Sequence, residues 1–144
     1  MKFVFDQFVF DHVHLLSADP AAAAQWYVEM FDATIAARYQ VRGAVQLNVQ
    51  TGGMTLLIRG HRDGEAPATR NGIKHFGDYS SHDEWGMDHF GFTYHGDLLE
   101  LCKSLKDRGA EFAVKPWEFS PGLWICYIAA PDGVSIEIIQ ARDK

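Results

Sequence analysis

The stretch Trp85-Gly86-Met87-Asp88-His89-Phe90-Gly91-Phe92-Thr93 decides the fold. It reads as the start of a strand, and its Asp-His opening has an earlier counterpart in Phe10-Asp11-His12-Val13-His14-Leu15-Leu16. Each segment runs into an acidic helix start, Asp19-Pro20 after the first and Gly96-Asp97 after the second. Each helix then leads to an alanine that opens a new strand. Ala33 lies 21 positions after His12, and Ala110 lies 21 positions after His89. Equal spacing across a strand, a turn and a helix marks an internal repeat.

Working outward from the first copy, residues 8–16 read as a strand. Side chains alternate along a strand, so His12 and His14 share one face and Val13 and Leu15 the other. Asp19 is a helix cap and Pro20 suits the first helical position. The helix runs through Ala21, Ala24, Trp26, Tyr27 and Met30 to Asp32, which stands where the second copy has Gly109. A left-handed helix end is favoured there, and glycine tolerates it better than aspartate. Strands are predicted over 34–41, 44–50 and 54–59, punctuated by Gly43 and Gly52-Gly53.

The second copy predicts a strand over 87–94 and a helix over 98–108, with Asp97 at its cap and Glu100 at the capping-box spacing. Strands follow over 110–115, 122–130 and 133–140, the last two joined by the tight turn Ala130-Pro131-Asp132-Gly133. Pro116 to Gly122 reads as a loop with bulky side chains. The organisation is α+β: a βαβββ module at 8–59, a second at 86–140, and a segment at 60–85 between them. Neither module can bury both faces alone, so the two share a core or pair with another chain. The 60–85 segment is polar, carries the turn signal Asn71-Gly72, and is too long for an ordinary connector. It is either a flexible bridge or a loop over a site. His75, Asp78 and His82 lie in it, and its two histidines could act as lid residues, although surface loop histidines are commoner.

Bulk properties narrow the function. The 144 residues are 47% hydrophobic and 22% charged, which suits a globular core rather than disorder. The net charge is −6 and no stretch is rich in Lys and Arg, which argues against nucleic acid and against an anionic membrane as partners. The N-terminal residues are apolar only briefly and then acidic, unlike a signal peptide or a membrane span. Cys102 and Cys126 fall in a predicted helix and a predicted strand and read as packing residues, which points to a reducing, cytoplasmic setting.

Chemistry concentrates at three points. Glu137 sits in Val134-Ser135-Ile136-Glu137-Ile138-Ile139, where an ionised carboxylate on a buried face needs a partner. A metal ion would serve. If the two modules curl against one another, His12, His89 and Glu137 converge from three separate strands as a two-imidazole, one-carboxylate set that leaves coordination positions open. Taken singly, each histidine is more often a hydrogen-bonded strand-end residue, and Glu137 faces solvent about as often as not. The repeat, which puts both histidines at one module position, favours the metal set. His14 is a candidate base or supporting group, against the reading of a core histidine bonded to backbone. Arg59 is a candidate for an anionic substrate group, against that of a solvent-facing strand end. Tyr127 lies in a strand opposite the expected site, where packing is the favoured role. Trp26, Phe92, Trp117, Phe119 and Trp124 are candidates to line a cavity, although core packing is the commoner fate of such residues.

An Asp-His strand opening, a βαβββ module and the closing Pro131-Asp132-Gly133-Val134-Ser135-Ile136-Glu137 together resemble the vicinal oxygen chelate superfamily. That group includes glyoxalase I, bleomycin- and fosfomycin-resistance proteins, methylmalonyl-CoA epimerase and extradiol dioxygenases. The resemblance implies paired modules forming an incomplete mixed-sheet barrel around a divalent metal (Fe, Ni, Zn or Mn). It implies His12, His89 and Glu137 as ligands, and a homodimer whose sites draw on both chains. It also implies a small substrate chelated through adjacent oxygens. The fourth ligand position, a Glu in glyoxalase I, falls nearest Leu57, which cannot bind a metal. This leaves a three-ligand pattern closer to dioxygenases and fosfomycin-resistance enzymes, while the length with both modules in one chain resembles a glyoxalase-type lyase or isomerase. A metal-free binding protein is the third reading, and such members generally lack the ligand residues.

Overall fold

The structure is a computed structural model that describes residues 7–72 and 84–142. His75, Asp78 and His82 lie outside the described residues. The elements are β1 (Val13–Leu16), α1 (Pro20–Phe31), β2 (Thr34–Val41), β3 (Ala44–Thr51), β4 (Met54–Arg59), β5 (Phe90–Tyr94), α2 (Leu98–Asp107), β6 (Glu111–Ser120), β7 (Leu123–Ala129) and β8 (Ser135–Gln140), with a short 3-10 turn at Pro131–Gly133. The chain divides into two compact units, Met1–Ala66 and Pro67–Lys144. Each is an α+β module with one open, four-stranded mixed sheet. The strand orders match: β1-β4-β3-β2 in the first unit and β5-β8-β7-β6 in the second. In each, the first strand pairs parallel with the last, and the remaining pairs are antiparallel.

Local chemistry fixes the helices. Asp19 accepts a hydrogen bond from the Ala22 amide at 3.1 Å and Pro20 follows it. Asp32 ends α1 in the left-handed region at φ 51°, and Gly109 takes φ +93° beyond α2. Asp97 accepts from the amides of Leu99 and Glu100 at 2.9 and 3.4 Å, while the Glu100 carboxylate meets Lys103 at 3.0 Å.

One face of each sheet is covered by its own helix. In the first unit Ala23, Ala24, Tyr27 and Met30 of α1 are buried with Leu47, Val49, Leu56 and Ile58 of the sheet. In the second, Leu98, Cys102 and Leu105 of α2 are buried along with Cys126, Ile128, Ile136 and Ile138. The Cys102 and Cys126 sulfurs approach to 3.7 Å as free thiols, and the hydrogen bond from Cys102 together with burial pushes the Cys126 thiol up. No helix among the described residues is long and apolar enough to cross a membrane.

The limits of β1, β5 and β6 differ most from expectation. The first strand of each module is shorter than 8–16 or 87–94 and begins one residue after its histidine, at Val13 and at Phe90. The expected loop from Pro116 is strand: β6 runs on to Ser120 before turning at Gly122. Proline lacks the N–H that a central strand needs, but β6 is a sheet edge, and its register shifts between Val114 and Trp117, where Pro116 sits. The start of the 60–85 segment is pinned rather than loose. Arg62 donates from Nε to the Arg42 carbonyl at 3.0 Å and from Nη2 to the Val41 carbonyl at 3.3 Å.

Leu56 and Ile136 hold the same place in the two modules, opposite Val13 and Phe90, and both are fully buried. Truncating either to alanine removes packed volume from a core strand. Leu56→Ala and Ile136→Ala are each expected to cost about 2–5 kcal/mol of stability, read from chemical denaturation midpoints.

Candidate metal centre

Paired residues on neighbouring strands point to the same side, so the registers define rows across each sheet. In the second unit one row, on the face away from α2, is Gly91-Glu137-Tyr127-Val114; the next is Thr93-Ile139-Ile125-Trp117. In the first unit the matching rows are His14-Leu57-Asn48-Ala37 and Leu16-Arg59-Gln46-Tyr39. Leu57 therefore holds the place of Glu137, and His14 the place of Gly91.

Glu137 is set near His89, its Oε2 lying 3.1 Å from His89 Nε2. Both side chains are mostly buried. The other ring nitrogen, Nδ1, is 2.7 Å from Asp88 Oδ2. Tyr127 packs edge-on against the His89 ring, centroids 4.9 Å apart. Tyr127 is buried, as packing predicts, but its strand adjoins that of Glu137 and its ring flanks the histidine. Gly91 makes room for this. A Cβ there would lie 3.0 Å from the Glu137 carbonyl oxygen and 3.3 Å from its Cβ. A glycine inside a strand signals such a close approach, and this one went unused in the sequence reading.

The donor set suits a divalent cation. Two ligands at right angles, each about 2.1 Å from one ion, stand about 3.0 Å apart. The observed 3.1 Å fits that separation and is equally the length of a direct His89–Glu137 hydrogen bond. The second unit thus brings together two of the three expected ligands. His12 belongs to the first unit, where its Nδ1 is 2.6 Å from Asp11 Oδ2. Among the described residues no group of three or more His, Cys, Asp and Glu side chains is gathered as a metal site.

His14 is exposed rather than a core histidine, because β1 is a sheet edge and the side chain faces away from α1. Its ring lies 6.5 Å from that of His12. Partial burial lowers its pKa first, followed by the charges of Arg59, His12 and Arg62. Arg59 is not a solvent-facing strand end. Its Nη1 donates to the Gly60 carbonyl at 3.0 Å and to Glu65 Oε1 at 2.9 Å. Glu65, which the sequence reading overlooked, also accepts from the Arg62 amide at 2.6 Å.

Of the candidate aromatic residues, Trp117 and Phe119 are in edge contact at 5.6 Å, and Trp117 shares the face of Glu137. Phe92 and Trp124 lie on the opposite face. Trp124 lines a pocket of about 650 Å³ there with His95, Asp97, Gln140 and Arg142. Trp26 packs on Tyr27 and Phe31 of its own helix. Asn48 Oδ1 and Trp117 Nε1 are buried without a hydrogen-bond partner among the described residues.

The sequence model of the Glyoxalase/Bleomycin resistance protein/Dioxygenase superfamily matches residues 9–138. The chain belongs to this superfamily. No curated protein matches it. Solved structures share the superfamily fold. A glyoxylase/bleomycin resistance protein/dioxygenase domain from Frankia sp. EAN1pec has 22% identity and a TM-score of 0.70, covering 94% of this chain and 98% of its own. A glyoxalase family protein from Bacillus cereus has 16% identity and a TM-score of 0.74, covering 99% and 97%. The fosfomycin resistance protein FosX from Listeria monocytogenes, solved with Mn(II) and sulfate, has 14% identity and a TM-score of 0.63, covering 92% of each chain. The superfamily fold expected from the paired modules is therefore present.

The Arg59 hydrogen bond, followed by the Arg62 amide, lowers the pKa of Glu65 to about 2. A carboxylate depressed in the folded state stabilises the protein above its ordinary pKa, and that contribution is lost as pH falls towards the folded value. An NMR titration of Glu65 is expected to give a midpoint near 2, rising towards the ordinary 4.5 in Arg59→Ala.

Proposed function

We propose that this protein is a divalent-metal-dependent enzyme of the glyoxalase type, a lyase or isomerase acting on a small substrate with adjacent oxygen atoms. The carrying observation is the 3.1 Å approach of His89 Nε2 to Glu137 Oε2 on the sheet face that no helix of its unit covers. His89, Glu137 and His12 would hold the ion. A bound divalent ion would supply a Lewis-acid centre for the two substrate oxygens and the negative charge that develops on them. Fe, Ni, Zn and Mn all suit a two-imidazole, one-carboxylate set.

The remaining work falls to the chain's own residues. Gly91 lets β5 lie close against the backbone and Cβ of Glu137, and Tyr127 holds the His89 ring on edge. Leu57 stands where a second carboxylate would otherwise move a proton, so the proton must pass through another group. His14, beside Leu57 in its row, has an imidazole whose lowered pKa favours the neutral, proton-accepting form. Arg59, on the next row, is the candidate partner for an anionic substrate group once its hold on Glu65 is relaxed. Homodimer formation belongs to the same proposal.

The leucine at position 57 favours one other chemistry. A site with three protein ligands is the pattern of Fe(II) dioxygenases, in which substrate and dioxygen bind side by side. A metal-free binding protein is the reading that remains if no ion binds.

Elemental analysis of anaerobically purified protein separates these. Roughly one metal per chain is expected in the wild type, lost in Glu137→Ala and in His89→Ala. Nickel, zinc or manganese supports the lyase or isomerase. Iron, together with activity that requires dioxygen, moves the assignment to a dioxygenase. Wild-type protein that cannot be loaded with any of the four ends the metal reading.

A further inference from the structure

We propose that Asp88 and Asp11 are positioning residues that fix the tautomer of the two histidines, presenting Nε2 of each as the metal-facing electron pair. The inference rests on the metal reading above and concerns residues outside the ligand set.

A neutral imidazole carries one N–H. At His89 both ring nitrogens face carboxylates, Nδ1 to Asp88 at 2.7 Å and Nε2 to Glu137 at 3.1 Å. One proton cannot serve both. If it sits on Nδ1, it satisfies Asp88 and leaves two electron-rich atoms, Nε2 and Oε2, facing each other at the spacing of two ligands on one cation. Asp88 selects that arrangement. A carboxylate behind a metal-binding histidine commonly acts this way, orienting the ring and raising its basicity.

The same contact recurs in the other module, with His12 Nδ1 2.6 Å from Asp11 Oδ2. The rows around it have diverged: Leu57 faces Glu137's role, Asn48 Tyr127's, and Gln46 Ile125's. Folding stability gives little reason to keep the pair, since the Asp11 side chain is 89% exposed and an exposed pair contributes little. The backbone also makes room for it. Adjacent residues of a continuous strand point to opposite faces. Both strands instead begin one residue after the histidine, and this non-strand start lets each aspartate turn onto its neighbour's ring.

The test uses the full chain and Mn(II) as the probe, with free Mn(II) followed by electron paramagnetic resonance. Asp88→Ala is expected to weaken Mn(II) binding about 10–100-fold. Asp88→Asn, which keeps an acceptor oxygen, is expected to lose less. Asp11→Ala is expected to fall between wild type and Asp88→Ala, because its pair is the more exposed. An independent readout needs no metal. Long-range proton–nitrogen NMR of the metal-free protein, well above the ordinary histidine pKa, is expected to show the His89 proton on Nδ1 and its partial transfer to Nε2 in Asp88→Ala. If Mn(II) affinity and tautomer are both unchanged in Asp88→Ala and Asp88→Asn, the inference is overturned while the metal reading stands. If wild type binds no Mn(II) but the tautomer responds to Asp88, the metal reading fails and the tautomer role survives. Should Asp88→Ala not fold, Asp88→Asn alone decides.

Discussion

Parallel pairing of the first and last strands governs each module. Parallel strands cannot be joined by a tight turn, so the intervening helix and two strands must be accommodated before β4 meets β1 or β8 meets β5. That pairing sets Gly91 against Glu137 and so determines which sheet face carries the carboxylate. A slip of one residue would turn Glu137 towards α2 and an isoleucine towards His89. The apolar residues on either side, Ile136 and Ile138, lie under the helix and resist that slip.

The two modules share a frame and differ in what they display. The face of the second away from its helix carries a carboxylate amid aromatic and aliphatic side chains, with the buried Tyr127 and Ile125 and the partly buried Ile139 and Trp117 around it. The corresponding face of the first has leucine at the carboxylate position and polar groups elsewhere: His14, Asn48, Gln46, Arg59 and Tyr39. Gln46 is buried and spends its amide on the Tyr39 hydroxyl at 3.0 Å. The polarity of the first face is thus partly satisfied within itself, through Gln46–Tyr39 and Arg59–Glu65, while Asn48 Oδ1 stays without a partner among the described residues.

Much of this was legible in the sequence because repeat spacing, caps and turn residues are local signals. The helices follow Asp19-Pro20 and Asp97, and the αL ends fall at Asp32 and after α2 at Gly109. The match of Leu57 to Glu137 was visible only approximately, since the second module has gained residues: one at the Val114/Trp117 irregularity, one between Trp117 and Ile125, and one between β7 and β8. Bulges leave no periodic trace, and for the same reason the run after Pro116 resembled a loop. The Glu65–Arg59 pair was out of reach because nothing local in the sequence ties a loop carboxylate to a strand-end guanidinium. Tyr127 was read as lying opposite the site, although the tight turn at Pro131–Gly133 makes β7 and β8 an antiparallel pair that sets Tyr127 directly beside Glu137.

The irregular edge at β6 bears on how the protein behaves in crowded solution. An uninterrupted outer strand offers a straight row of amide and carbonyl groups on which a second chain can build. β6 breaks that row at three points and places Pro116, which has no amide hydrogen, within one of them. Its ten residues are long enough to template aggregation, yet their spacing matches no regular neighbour. The bulges that hid this strand from the sequence reading also make it a poor seed for fibres.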